Sequence, residues 1–394
     1  MTETVIRRIE GEEMLEIMHW LPSYAFRSSP PLADKEERQE RLRQRVGNLF
    51  FAVFEDGAPV ACVESTPLTQ NLRGRLFSAG GILDVATHPA ARRKGYAREA
   101  LKRLYAALHE DGRVFSDLWP FRESFYERLG YVTLPMPRKA IFKPSALTPL
   151  LTRDLGGSVQ MMLIGDGFDI YLDYVRKLQA TIHGMALFEH ADRFNAQRNN
   201  YWLALAQVDD EIVGAMLYDL RGEQITQFTM GVRRFYYSTS QGKYLLLAWI
   251  ARHVDQANRV EMWLPPYEYA ETWLEDMQIA VEAAPIAPMG RVLDVAKMGG
   301  MSTGPGRFAA HISDITCPWN AGIWQFETAD GKLHVNRAER ADCELTIQAL
   351  AALAYGTHDP GEFAMRGWGN PSPQVQQAMR SMFPRLVPHV HEQF

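Results

Sequence analysis

Strand-like and helix-like runs of apolar residues succeed one another along the first third of the chain. The stretch "NLFFAVFEDGAPVACVEST", residues 48–66, reads as two half-buried strands around an Asp56–Gly57 turn. That dipeptide accepts the positive φ a tight hairpin demands. "GGILDVAT", residues 80–87, predicts another strand. Beyond it Ala97, Ala100, Leu101, Leu104, Tyr105 and Leu108 recur at three- and four-residue spacing, one apolar face of an amphipathic helix. "VFSDLWP", residues 114–120, predicts the strand that follows.

The same order returns further on, an internal repeat. "NYWLALAQVDDEIVGAMLYD" from Asn200 gives two apolar strands around an acidic turn, and "QITQFTMGV" gives a third. Gly242, the helix "KYLLLAWIARHV" and the strand "RVEMWLPP" follow. After "EAAPIAPMGRVLDV" a different pattern begins. "GIWQFETADGKLHVNRAE" predicts a hairpin around Asp330–Gly331, and "CELTIQALAALAYGTHDPGEF" an amphipathic helix closed by Gly356. The glycine-rich "GGMSTGPGR" from Gly299 lacks a strand-to-helix context and reads as a flexible loop. The fold class is therefore α/β (α+β): tandem mixed sheets flanked by helices, then a smaller α+β domain. The expected domains are residues 1–148, 149–287 and 288–394.

Composition narrows the function. With 46% hydrophobic and 23% charged residues, the chain is an ordinary globular one. A net charge of -5 gives no footprint for nucleic acid. Cys62, Cys317 and Cys343 form no CxxC pair, and an odd count argues against a disulfide framework. No apolar signal core opens "MTETVIRRIEGEEML" and no run reaches membrane-spanning length, so a cytoplasmic protein without membrane partners is expected.

Candidate chemistry concentrates between the strand ending at Thr87 and the helix. Arg92, Arg93 and Lys94 precede Gly95, and the helix opens with Tyr96, Ala97 and Arg98. A helix start presents unpaired N–H groups and a partial positive charge, and a glycine there lets an anion approach the backbone. In the second copy Thr239, Ser240 and Gln241 precede Gly242, so that site has lost its charges. The second copy reads as a degenerate one that packs, shapes a cleft or makes subunit contacts.

Arg92-x-x-Gly95-x-Ala97 matches the R/Q-x-x-G-x-G/A pattern of the GNAT N-acetyltransferases, which bind the pyrophosphate of coenzyme A. The strand-rich tail with its helix resembles the sterol-carrier-protein type 2 fold. Together with "VATHPAARRKGYAR", "FRESFYERLGY" and the chain end "HVHEQF", this order of domains resembles the Eis (enhanced intracellular survival) family. The resemblance implies acetyl transfer from acetyl-CoA to amines, aminoglycosides among the acceptors, and a hexamer. The two ligands of a His389-x-His391 site at the chain end are weak evidence for a metal, and none is expected. The resemblance implies that Val85, Ala86 and Thr87 offer backbone groups to the pantetheine arm and that Arg93 to Arg98 hold the pyrophosphate. It further implies that Phe121 and Arg122 flank the cofactor, that Tyr126 is the general acid, and that the carboxylate of Phe394 is the general base. "WLPSYAFRSSPPLADKEERQERL", the expected acceptor side, is mixed in charge and supplies no acidic cluster for a polycation.

An amine attacking a thioester needs deprotonation, an oxyanion donor and a proton for the leaving sulfur. A backbone N–H at Val85–Thr87 serves the oxyanion if the strand bulges there. A tyrosine of pKa about 10 lies close to a thiol at about 8.5. A terminal carboxylate, at about 3.5, is a weak base unless burial or a water relay helps it, and otherwise it attracts the cation. His389, His391 or Glu392 could substitute. A second class of function stays open: a carrier or assembly protein that binds an apolar ligand through its C-terminal domain.

Overall fold

Asp56 and Gly57 take φ of +49° and +81°, and the strands they join begin a mixed sheet. The computed structural model describes residues 3–27, 29–190 and 200–391. Its first elements are β1 (Thr4–Arg8), α1 (Gly11–Phe26), α2 (Lys35–Arg43), β2 (Leu49–Glu55), β3 (Ala58–Leu72) and β4 (Arg75–Thr87). Then come α3 (Tyr96–Glu110), β5 (Phe115–Leu118), α4 (Glu123–Glu127) and β6 (Val132–Thr133). Helix α3 buries Ala100, Leu101, Leu104, Tyr105 and Leu108, the face its periodicity predicts.

The chain divides into two compact units. One comprises Met1–Leu134, Ile182–His190 and Pro288–Phe394, the other Pro135–Thr181 and Ala191–Ala287. In the first, the sheet order is β1-β2-β3-β4-β5, then the strand Met289–Val292, then β6, with Ala186–Phe188 added beside β3. In the second, the order is Ala280–Ala283, Arg138–Phe142, Ala257–Leu264, Phe228–Tyr237, Glu211–Arg221, Trp202–Val208 and Ser158–Leu163. The two sheets have the same layout. Each holds one parallel pair, and beside it an inserted strand that is antiparallel to both its neighbours. That inserted strand is exchanged: residues 138–142, which follow the first copy, lie in the second sheet, and residues 289–292, which follow the second, lie in the first. These segments cross the boundaries expected at 148 and 287.

The third sheet orders Lys332–Arg337, Gly322–Ala329, Arg307–Ser313 and Cys343–Thr346, with the Asp330–Gly331 hairpin as predicted. The helix Ile347–Tyr355 differs from its expected amphipathic form, being buried at every residue but Gln348. It lies between two layers, sharing one core with Phe308 and Phe326 of the third sheet and with Phe77, Phe115 and Val292 of the first. Gly356 closes it in the left-handed region. The glycine-rich segment from Gly299 is a tied connector and not a free loop. The N–H groups of Gly300, Ser302, Thr303 and Gly304 all donate to backbone carbonyls, and Met301 is fully buried.

Arg291, on the inserted strand, carries a guanidinium with no exposed surface. It pairs with Asp314 at 2.7 Å, donates to Thr316 at 2.9 Å and to the Leu129 carbonyl, and lies 4.8 Å from the Tyr105 ring. Gly130 makes room for it: φ is +97°, and a Cβ there would stand 3.1 Å from the guanidinium carbon. Breaking a buried pair by removing one partner leaves an uncompensated charge. Asp314→Ala is therefore expected to cost about 3–5 kcal/mol in urea denaturation.

Asp117 is the opposite case, a buried carboxyl without a cationic partner among the described residues. Its Oδ1 lies 3.0 Å from the Tyr355 hydroxyl, while Oδ2 has no partner among the described residues. Burial raises its pKa to about 7, against smaller opposing hydrogen bonds from Gln70 and Tyr355. An unfolded aspartate titrates at about 3.9, so the folded state binds this proton more firmly. The stabilisation is full below that value, declines as pH rises, and is lost above about 7. Asp117→Asn should flatten this decline, seen as a smaller fall in Tm across that window.

Candidate functional site

The register of β3 against β4 slips between Cys62 and Glu64. Cys62 faces Ala86 and Glu64 faces Leu83, so Asp84 and Val85 together oppose Val63. This is a β-bulge, with Asp84 at φ +49°. The parallel pairing of β4 with β5 ends at Ile82–Leu118, while β4 runs on to Thr87. Past that pair β5 has ended and β4 runs on without this neighbour. The bulge and the end of β5 leave backbone groups of the Asp84–Val85 step outside the regular ladders. Ala86 and Thr87 still pair with Cys62 and Ala61, so it is the Asp84–Val85 step that is freed from the ladder.

The turn after β4 has the geometry an anion needs. Gly95 is the N-cap of α3 at φ +87°, in the left-handed region that favours glycine, and no side chain caps the helix. The first-turn N–H groups thus lack intrahelical acceptors. Arg93 is exposed at φ +66°. Arg98 reaches back over the turn, where a Cβ on Gly95 would stand 3.4 Å from its Nη2. Lys94 is engaged elsewhere, 2.7 Å from Glu55, which also accepts from the Tyr96 hydroxyl at 2.9 Å. Arg92 donates to the Thr87 carbonyl at 3.4 Å. Among the described residues, Arg92 and Arg93 are the exposed charges at the turn without an ion pair, and Arg98 has a loose contact with Glu99 at 3.3 Å.

Tyr126 lies on α4, in the same packed cluster as Ile82, Leu101 and Leu118, with Val85 and Tyr96 against it. Its ring stands edge-on to Phe121 at 5.8 Å, Phe125 at 4.9 Å and Tyr131 at 5.9 Å. The ring is buried, and the hydroxyl has no hydrogen-bond partner among the described residues. Burial, helped by Tyr131, pushes its pKa well above the usual tyrosine value. The near match to a thiol expected from the sequence is therefore lost. The group stays protonated at neutral pH and serves better as a hydrogen-bond donor than as a freely ionising acid. Phe121 is largely exposed, and Arg122 is the exposed N-cap of α4.

Glu392 and Phe394 lie outside the described residues. The tail up to His391 is seated on the first unit. The His389 N–H donates to the His183 carbonyl at 2.9 Å, and Val390 is buried with Leu68 and Leu72.

Sequence patterning missed a charge network at the bulge. Glu64, fully buried on β3, accepts from Arg45 at 2.5 Å and Asn48 at 2.6 Å. Asp84 accepts from Arg38 at 2.5 Å and Arg45 at 3.3 Å. Burial pushes the Glu64 carboxyl up. Burial also acts on Asp84, but Arg38 and Arg45 outweigh it and hold that carboxyl below its usual range. The available signal was an acid inside each of two apolar strands, Glu64 in "VACVEST" and Asp84 in "GGILDVAT".

The second copy keeps a register slip on its corresponding strand, between Leu217 and Tyr218, but closes the turn. Thr239 caps the helix Ser240–Ala251 through the Gly242 N–H at 3.1 Å. Gln241 donates to the Leu155 and Gly156 carbonyls, both at 2.8 Å. Gly242 lies inside the helix, packed on the Val213 backbone, and is not the turn glycine that Gly95 is.

Residues 5–134 and 184–292 each match a family described as an acetyltransferase (GNAT) domain, and residues 297–390 match a sterol carrier protein domain. The chain thus carries two GNAT folds in tandem and a sterol-carrier-like C-terminal domain, the order the sequence predicted. No curated protein matches in sequence. Among solved structures, a conserved protein of Enterococcus faecalis V583, described as a probable N-acyltransferase, is similar with 19% identity, full coverage of both chains and a TM-score of 0.84. A GCN5-related N-acetyltransferase from Anabaena variabilis matches with 15% identity, full coverage of both and a TM-score of 0.85. Eis1 from Mycobacterium abscessus matches with 14% identity, full coverage of both and a TM-score of 0.76. At these identities the likeness is one of fold.

Gly95→Asp tests the turn. Aspartate tolerates the left-handed region better than most residues, so the turn should persist while a like charge meets the anion. Coenzyme A affinity is expected to fall roughly tenfold or more in calorimetric titration, from the lost helix-end interaction and the added repulsion. Gln241→Ala in the second copy should leave it unchanged.

Proposed function

We propose that the protein is an acetyl-CoA-dependent N-acetyltransferase whose acceptor is a primary amine, attacking the thioester directly. The observation that supports this most is the convergence of three features in one unit: the bulged end of β4, the uncapped glycine turn with Arg93 and Arg98, and the Tyr126 hydroxyl. Residues 1–148 act as the catalytic domain, 149–287 as the copy without an open turn, and 288–394 as the sterol-carrier-like domain whose tail returns to the active site. Aminoglycoside-like polyamines and lysine side chains are the acceptor classes of this reading.

Bound acetyl-CoA supplies an electrophilic carbonyl carbon and a thiolate leaving group. Arg92, Arg93, Lys94 and Arg98, with the backbone from Gly95 to Ala97, hold the pyrophosphate. Lys94 acts there through its pairing with Glu55, which braces Tyr96. Val85, Ala86 and Thr87 offer backbone groups to the pantetheine arm, and the N–H freed by the bulge steadies the developing oxyanion. Phe121 and Arg122 flank the bound molecule. Tyr126 donates a hydrogen bond to the departing sulfur, and the Phe394 carboxylate receives the proton of the amine. The reading requires no metal, places the protein in the cytoplasm, where three free thiols are at home, and includes hexameric assembly.

Thiol release from acetyl-CoA, with kanamycin and a lysine-rich peptide as acceptors, tests the activity. Tyr126→Phe keeps the ring packing, so kcat should fall roughly 10²–10³-fold, the usual worth of one hydrogen-bond donor to developing charge, with little change in Tm. Deleting Phe394, or extending the chain beyond it, should abolish most turnover while coenzyme A still binds. Full kcat in Tyr126→Phe would make that residue a packing group, and full activity in the extended chain would remove the carboxylate.

A further inference from the structure

Two residues hold the C-terminal segment, and one hydrogen bond joins them. Arg73, at the turn between β3 and β4, is buried with φ +50°. Its guanidinium donates to the carbonyls of Leu353 at 2.8 Å, Ala354 at 2.9 Å and Pro384 at 3.0 Å. The first two are end carbonyls of the helix Ile347–Tyr355, and the third belongs to the start of the tail. His183 holds the tail further on, where its carbonyl accepts from the His389 N–H at 2.9 Å. Beside it Gly184, at φ +83°, lies so close that a Cβ would stand 2.6 Å from the Pro388 Cβ. Between these points Leu386 donates to the Gly356 carbonyl at 3.3 Å. Residues 384–387 are exposed and residues 388–391 buried.

The join fixes the protonation state of the His183 ring. Its Nδ1 lies 3.1 Å from the Arg73 backbone N, and its Nε2 lies 2.9 Å from the Tyr355 carbonyl oxygen. A carbonyl only accepts, so Nε2 carries the hydrogen, and the Arg73 N–H needs a bare lone pair on Nδ1. The neutral ring satisfies both contacts. A second proton would set Nδ1–H against the Arg73 N–H and add a cation near a guanidinium that bonds carbonyls and no acid among the described residues. Relief requires His183 or the Arg73 turn to move, and each carries one of the tail's holds.

Burial lowers the His183 pKa to about 4, with Arg73 adding to this and the Tyr355 carbonyl opposing it. A free imidazole titrates at about 6.5, so a released His183 binds a proton more firmly than a held one. The hold is therefore intact above about 6.5 and weakens as pH falls toward 4. Arg73 keeps its charge throughout, since burial brings its pKa only to about 10. Asp117, which shares Tyr355, acts in the opposite sense, because its folded-state proton stabilises at lower pH. The other ionisable groups of this region are His358, which burial lowers to about 4, Arg385 on the Thr357 carbonyl, and the tail's own His389 and His391.

We propose that Arg73 and His183 are positioning residues that hold the C-terminal segment on the first unit, and that protonation of His183 at Nδ1 releases it, making turnover depend on a neutral imidazole that touches no reacting atom. This rests on the reading above in which the chain end takes part in turnover.

Hydrogen exchange across residues 384–391 reads the hold without any assay of activity. Corrected for intrinsic rate, protection of the Leu386 and His389 amides should fall from about pH 7.5 to about 4.5, by up to about tenfold per pH unit, the limit for one proton. The amides of α3 should keep theirs. His183→Gln offers a donor and an acceptor without titrating, so its protection should stay level. His183→Asn, whose Oδ1 takes the place of Nδ1, serves instead if the longer amide does not fit. Arg73→Lys keeps the charge but not the planar fork, and should lower protection at every pH. Thiol release with kanamycin is then compared between wild type and the His183 variant, since the amine's own protonation affects both alike. Their kcat ratio should fall with pH while KM for acetyl-CoA stays equal. Level protection in wild type, or an equal fall in the variant, would overturn the proposal. Release confined to wild type with an unchanged kcat ratio would also overturn it and leave the acetyltransferase intact. Release confined to wild type, with no thiol release from any amine, would keep the hold and remove the acetyltransferase.

Discussion

The Arg291 guanidinium, enclosed with Asp314 beneath the rings of Tyr105 and Tyr131, is the constraint on which the first unit turns. A charge in that position cannot be left unpaired, so the strand that carries it, the segment of Asp314 and the β5–α4–β6 region must assemble together. Tyr131 in turn packs against Tyr126, and its hydroxyl bonds Ser116 on β5 at 2.7 Å. A residue close to the start of the C-terminal domain thereby helps set the ring on which the proposed chemistry relies. Gly130 belongs to the same arrangement, since only glycine both tolerates its φ and clears Arg291 and Ile347.

Around that anchor, the site is built from departures from regular structure. A continuous β4–β5 ladder would satisfy every N–H and leave nothing for a ligand. The bulge at Asp84 and the early end of β5 release backbone groups beside Val85, and Gly95 releases those at the helix start. Such features cost stability, and the Arg38–Asp84 and Arg45–Glu64 pairs hold the bulge in place from the other side.

The second copy shows that the scaffold and the chemistry separate. Its sheet keeps the strand order, the single parallel pair and a register slip, so packing alone maintains them. What is gone is the open turn, because the Thr239 hydroxyl, the Gln241 amide and a helical Gly242 satisfy or fill the space. A fold can persist with its site filled by its own side chains.

Local patterns were legible from the residues alone. Hairpins at Asp56–Gly57 and Asp330–Gly331, the buried face of α3, the glycine turn after Thr87 and the repeat itself depend on neighbours a few positions apart. The charge loss at residues 239–241 was equally plain, though not that Gln241 would cap the space by binding residues 155 and 156. Other features were decided by partners far apart in the chain. Strands 138–142 and 289–292 look like ordinary short strands, and nothing in their composition names the sheet they enter. Ladder hydrogen bonds accept any edge of suitable register, so the choice falls to contacts such as Arg291 with Asp314. Glu64 and Asp84 likewise read as isolated acids in apolar strands until the sheet and α2 bring Arg38 and Arg45 to them. The burial that raises Tyr126 is also a property of the assembled core. Sequence determined which segments form elements and where an anion could sit. Tertiary structure decided which strands pair and which charges meet, because those depend on distances that close only when the chain is folded.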